Sequence, residues 1–152
     1  MGEAAENPYL RDAVLTATPE QLQLMLYDGC IRYALQARDA LTNKDYETSY
    51  LKLTRAQHII IEMRNGLNRE VNPDLCDRVA AIYGFLYRKL VDASVNRDVQ
   101  SIDDAVKVLR IERETWQLLV DKVNTAREST ADGARRQEPD DSAAPIAFSA
   151  EG

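Results

Sequence analysis

An all-α fold is predicted for this 152-residue chain: an antiparallel up-down-up-down four-helix bundle with an N-terminal segment packed on it and a disordered C-terminal tail. Three observations predict it. Apolar residues recur three and four apart through four long stretches, capping residues mark where helices start, and the connections between stretches are short. Helices are expected near residues 19–42, 45–66, 73–96 and 99–125. They form one domain over 18–125, preceded by a capping segment over 1–17 and followed by a tail over 126–152.

The first fifteen residues are mostly polar but carry Tyr9, Leu10, Val14 and Leu15, which suits a segment folded back on the bundle. The first helix has a well-specified start. Thr18 caps the free amides of the first turn, Pro19 sits where a missing N–H costs nothing, and Glu20 and Gln21 place acceptors beside the positive helix end. Leu22, Leu26, Gly29, Tyr33 and Ala37 then follow one helical stripe, and Leu24, Tyr27, Ile31 and Leu35 a second beside it. The polar face opposite, around Asp28 and Arg32, is narrow.

Asn43 and Lys44 make the first connection. The second helix shows a core stripe of Tyr46, Tyr50, Leu53, Ala56, Ile60, Met63 and Leu67. Gly66 to Asn72 make the next connection, with Asn72 as cap, Pro73 at the first helical position and Asp74 at the positive end. The third helix carries Leu75, Val79, Ile82, Leu86, Leu90 and Ala93. After a turn around 96–98, where Asp98 or Ser101 caps the next start, the fourth helix shows a heptad seam of Ile102, Val106, Leu109, Arg113, Trp116, Val120 and Val123. Only Arg113 interrupts that seam. A charge there is expensive unless paired, so its stem is expected to pack while its head binds a carboxylate such as Asp28 or Glu62.

Each helix also carries apolar residues outside its seam: Leu51, Ile59 and Ile61; Tyr83, Phe85, Tyr87, Val91 and Val95; Val108, Ile111 and Leu118. One bundle has one central core, so this surplus points to grooves that accept further helices, or to a larger oligomer. From about residue 127 periodicity stops and mixed charge, Gly and Pro take over, as expected of disorder. Ala144 to Phe148 is a small apolar patch within it.

The net charge of −6 argues against a nucleic-acid or anionic-membrane surface, which needs clustered Lys and Arg. Cys30 and Cys76 lie on apolar helical runs without CxxC spacing or companion histidines, so they are expected as core-filling thiols and no metal or cofactor is expected. The acidic start lacks the apolar run of a secretory signal, and no stretch is long enough to span a bilayer; a cytosolic location is expected. No enzyme motif is found either. The one histidine, His58, has Arg55 where a di-iron Glu-x-x-His pair needs a carboxylate. It is followed by Ile59-Ile60-Ile61-Glu62, so a phosphoryl group on it would meet Glu62 without a matching cation. Tyr27, Tyr83 and Tyr87 are candidates to line a binding groove, with an apolar ring and a polar tip each.

Asn7-Pro8-Tyr9, Val14, Thr16 to Glu20, Leu22 and Met25-Leu26-Tyr27-Asp28-Gly29 form one block; Ala56 to Ile60 with Leu67-Asn68, Leu86 to Leu90, and Arg113 to Trp116 form three more. In this order and spacing they resemble the flagellar export chaperones of the FliS type, over about residues 7–124. The resemblance implies an antiparallel bundle, without catalytic activity, that binds the disordered C-terminal segment of flagellin in the cytosol. It would block premature polymerisation and keep the cargo competent for flagellar type III secretion. It also implies contact with the export apparatus, at no residue that this sequence singles out. The flagellin-binding residues are expected to be Tyr9, Val14, Leu22, Met25, Leu26, Tyr27, Ile31, Tyr83, Tyr87 and Val91, with Tyr9 and Val14 docked on the 19–42 and 73–96 helices in the free protein. The polar tail after Asn124 departs from the family pattern. Two rival functions use the same grooves: a helical module that dimerises, as the chain itself would without cargo, and a chaperone for another secreted helical cargo.

Overall fold

The structure, a computed structural model, describes residues 8–136, and among these every regular element is a helix. The elements are α1 (Pro8–Thr16), α2 (Pro19–Thr42), α3 (Tyr46–Asn65), α4 (Pro73–Asn96) and α5 (Val99–Arg136). The chain divides into two units, one ending at Gln117 and holding the bundle, the other starting at Leu118 and carrying the later turns of α5.

The caps account for the boundaries. Thr18 Oγ1 accepts from the Gln21 N–H at 3.2 Å while Gln21 Oε1 accepts from the Thr18 N–H at 3.0 Å, a reciprocal pair that starts α2 at Pro19. Asp45 and Asn72 accept in the same way from Thr48 and Leu75, each at 3.2 Å, to start α3 and α4. Asp98 serves α5, accepting from the Gln100 N–H at 3.0 Å and from the Ser101 hydroxyl at 2.9 Å. Lys44 (φ 59°) and Arg97 (φ 51°) turn the chain through left-handed conformations that side chains disfavour. Arg97 offsets part of that strain by stacking on Tyr46, its guanidinium carbon 3.6 Å from the ring centroid.

The central core takes Tyr27, Cys30, Ala34, Ala37 and Leu41 from α2, Leu53, Ala56, Ile60 and Met63 from α3, Tyr83, Leu86, Leu90 and Ala93 from α4, and Ile102, Ala105, Val106 and Leu109 from α5. On α3 these belong to the expected stripe, except that Tyr46 and Tyr50 are exposed and Ser49 is buried in their place; on α5 the first half of the expected seam is buried, joined by Ala105. On α4 Leu75 is 54% exposed and Cys76 is buried instead. On α2 the core runs between the two expected stripes. Its members are small because α2 and α3 approach closely: the Cys30 thiol donates to the Ala56 carbonyl at 3.6 Å, and a Cβ on Gly29 would lie 3.4 Å from Ile59 Cδ1.

Ion pairs fix the register. Arg113 reaches Asp28 with both Nε (2.6 Å) and Nη2 (3.4 Å), and Arg38 meets Asp103 at 2.9 Å, so α2 and α5 run antiparallel. Lys89 bonds Asp104 at 3.2 Å between α4 and α5. The Asp28 bond holds the Arg113 proton more firmly than usual, as expected for a seam cation with its partner.

Two expectations are corrected. α5 continues past Thr125 to Arg136, through residues placed in the disordered tail; the Thr125 and Thr130 hydroxyls bond carbonyls one turn back, and Arg136 pairs with Asp132 at 3.0 Å. The rest of that tail, with the Ala144–Phe148 patch, lies outside the described residues. The N-terminal segment is helical over Pro8–Thr16, yet α1 buries no residue: Tyr9 is 86% and Val14 42% exposed, so the expected docking does not bury either one. α1 ends at its junction with the Thr18 cap, and its apolar side chains keep from 42% (Val14) to 86% (Tyr9) of their surface exposed.

Burial also sets the alkaline limit of the fold. It pushes the Cys30 thiol from 9.0 up to about 12 and raises the Tyr27 and Tyr83 hydroxyls above their usual 10.0. The unfolded chain releases these protons above about pH 9 while the folded chain keeps them, so their stabilising effect is intact below that pH and lost above it. Urea midpoints are expected to hold steady from pH 7 to 9. Beyond that, stability falls by about 1.4 kcal/mol per pH unit for each group ionised only in the unfolded chain.

Candidate functional site

The side of the bundle between α3 and α4 carries its apolar surplus openly. On α3, Tyr50 and Ile61 stand three turns apart and are 65% and 39% exposed. On α4, Ala80, Gly84, Tyr87 and Val91 recur four, three and four apart on one face, with Tyr87 38% exposed and the others half-buried. A hollow of about 70 Å³ lies at one end of this face, between Ile60, Ile61, Arg64, Tyr83 and Tyr87. At the other end a hollow of about 160 Å³ is lined by Leu41, Tyr46, Ser49, Tyr50, Ala93, Ser94 and Arg97. Both linings contain an arginine and neither contains a carboxylate.

A third hollow, about 300 Å³, opens where α2 begins and α3 ends. Leu26, Met63, Leu67 and Trp116 give it apolar walls, and Gln23, Glu62 and Asn68 a polar rim. Tyr83 borders both this hollow and the 70 Å³ one with only 1% of its surface exposed. Its hydroxyl accepts from Gln23 Nε2 at 2.8 Å and lies 3.0 Å from that of Tyr27, whose ring centroid is 6.5 Å from its own.

The expected binding residues therefore separate. Leu26 lines the 300 Å³ hollow and Tyr87 the α3–α4 face, with Val91 one turn further along. Leu22, Met25 and Ile31 are half-buried on α2 but line none of these hollows. Tyr27 and Tyr83 are core residues, 0% and 1% exposed, although Tyr83 also borders two of the hollows. Their hydroxyls satisfy one another inside the bundle, which lets two large polar-tipped rings be buried at little cost. Tyr50, Ile61, Gly84 and Trp116 were missing from the expected set, although the surplus on each helix was the signal for Ile61. His58 is exposed on α3, and among the described residues no group of three or more His, Cys, Asp or Glu is placed to hold a metal ion.

Comparison with known proteins decides the family. The model of the family described as flagellar protein FliS matches residues 1–123. The chain belongs to the FliS family. The flagellar secretion chaperone FliS of Bacillus subtilis is 35% identical to this FliS-family chain over 116 residues, covering 74% of it and 86% of the relative. That of Salmonella typhimurium is 28% identical over 116 residues, covering 76% and 86%. A solved structure titled as a flagellar chaperone from bacteria superposes with a TM-score of 0.66 at 20% identity, covering 80% of this chain and 99% of that one, which shows the shared fold. The family resemblance carried by the four sequence blocks is thus borne out. Among the described residues of this FliS-family chain, no helix is long and apolar enough to cross a membrane.

Proposed function

We propose that this chain is a cytosolic secretion chaperone, as its relatives are named, and that it binds the disordered C-terminal segment of flagellin along the apolar faces of its bundle. The observation that carries this reading is the α3–α4 face. Exposed Tyr50, Ile61 and Tyr87 line two hollows whose charged groups are all cationic, and small Ala80 and Gly84 share the α4 face with Tyr87. An amphipathic helix fits such a surface by burying its apolar stripe against the aromatic side chains and keeping its polar face in solvent. A disordered segment must be ordered on binding, so a large interface is needed, on the order of 2,000 Å². The 300 Å³ hollow beside Leu26 and Trp116 extends the surface toward the start of α2.

In this mechanism the chaperone takes the place of the subunits that flagellin would otherwise meet in a filament. The test is seeded filament growth: one equivalent of the chain is expected to suppress elongation of flagellin monomers onto seeds. Elongation at the unhindered rate would refute the proposal. Free of cargo, the same apolar face predicts self-association, read as a mass that rises with concentration in light scattering. Tyr9 belongs to the cargo-handling set although it lies outside the hollows. Because it is 86% exposed, Tyr9→Ala is expected to leave the thermal midpoint within about 1 °C, as surface substitutions do, while weakening cargo binding severalfold. Equal losses of stability and binding would contradict that role.

A further inference from the structure

The α2–α3 side of the bundle holds a charge cluster that cargo binding on the α3–α4 face does not use. Tyr33, half-buried on α2, gathers three cations around one ring: the Arg32 guanidinium carbon 5.4 Å, Lys52 Nζ 5.6 Å and the Arg55 guanidinium carbon 5.7 Å from the centroid. Lys52 and Arg55 lie about one turn apart on α3, and the packing of α2 on α3 brings them to the residue that follows Arg32. The electron-rich ring face attracts each cation, but the cations repel one another. Among the described residues none of the three enters an ion pair, whereas Arg38, Arg69, Lys89 and Arg113 each hold an aspartate within 3.2 Å. In a chain of net charge −6, three converging cations without a counter-charge are the complement of an acid.

We propose that the Tyr33 face docks a short acidic peptide segment of a partner protein, whose carboxylates bind Arg32, Lys52 and Arg55. The guanidinium groups offer forked donors to carboxylate oxygens. Leu51, 47% exposed one residue before Lys52, offers contact to an apolar residue beside the acids. The patch is small: the basic stretch covers about one turn of each helix, roughly 5 Å along each axis. It is followed on α3 by Glu62 and on α2 by exposed Asp39. A nucleic acid or an anionic bilayer presents phosphates over a longer run and would meet those carboxylates and the net negative charge. A segment with two or three acids would not.

The test uses the full chain, labelled with nitrogen-15, and the peptide acetyl-Glu-Leu-Glu-Glu-Leu-amide. Saturating shifts of the Arg32 and Arg55 Nε–H signals are expected. Affinity should fall about tenfold in Lys52→Gln/Arg55→Gln, read at Arg32, and in Arg32→Gln, read at Arg55, as when a charge-assisted contact is lost. Glutamine keeps the packed stems, so helical circular dichroism should not change. A peptide with Gln in place of Glu should bind weakly or not at all. Equal binding of that peptide, unchanged affinity in both variants, or tighter binding of oligothymidylate, anionic vesicles or inorganic phosphate at the same groups would overturn the proposal. The outcome is independent of the flagellin reading, because the probe carries no flagellin sequence and the variants leave the α3–α4 face intact.

Discussion

Tyr83→Ala is expected to lower stability by about 3–5 kcal/mol, a large share of the roughly 5–15 kcal/mol available to a domain of this kind. Two losses add. Removing a ring that is 1% exposed leaves a cavity where α2, α3 and α4 converge, and it strips partners from two other groups. Tyr27 loses the hydroxyl at 3.0 Å and Gln23 the acceptor at 2.8 Å. Tyr83→Phe keeps the ring and isolates the second loss, so about 1–3 kcal/mol is expected from it alone. Urea unfolding at pH 7 measures both, with the slope unchanged if the fold is retained. A loss below about 1.5 kcal/mol for the alanine variant would mean that Tyr83 serves a surface after all.

Gly84→Trp is expected to do the opposite: little to the fold and much to binding. A Cβ at Gly84 would meet only the Arg88 guanidinium at 3.6 Å, an ordinary contact, and replacing a helical glycine raises helix propensity. Gly84→Ala should therefore stabilise the chain by about 0.5–1 kcal/mol and leave cargo affinity almost unchanged. The indole ring instead stands on the α4 face that carries Tyr87. Affinity for the flagellin segment is expected to drop at least about tenfold, or 1.4 kcal/mol, with an unchanged or higher thermal midpoint. Unaltered affinity in calorimetry would move the cargo surface elsewhere on the bundle.

Helix positions were legible because caps are local chemistry: Thr18-Pro19 and Asn72-Pro73 set the starts of α2 and α4 at the predicted residues. The Arg113–Asp28 pair was legible because a charge on a heptad seam demands a partner. The α2 core was not. Its buried line passes through Cys30, Ala34 and Ala37, whose small side chains register weakly beside Leu22, Leu26 and Leu35, and their smallness matters only once α3 lies against them. The burial of Tyr27 and Tyr83 was not legible for a related reason. A tyrosine carries a polar tip that marks a surface unless another group satisfies it, and that group came from a helix 56 positions away. The length of α5 was hidden by Gly133 and mixed charge, which resemble a tail, although Ala131, Ala134 and the Asp132–Arg136 pair support a helix. The α3–α4 face was only half legible: the surplus on each helix was readable, but which surplus residues share a groove depends on how the helices pack.

The most direct measurement is a calorimetric titration of the full chain with the last forty or so residues of its flagellin, about two to three average helices in length, followed in parallel by circular dichroism. Binding at submicromolar concentration, with a negative heat-capacity change and a gain of helix beyond the sum of the parts, is the result expected of a disordered segment folding into apolar grooves. No heat and no gain of helix at micromolar concentrations would contradict flagellin binding by this bundle.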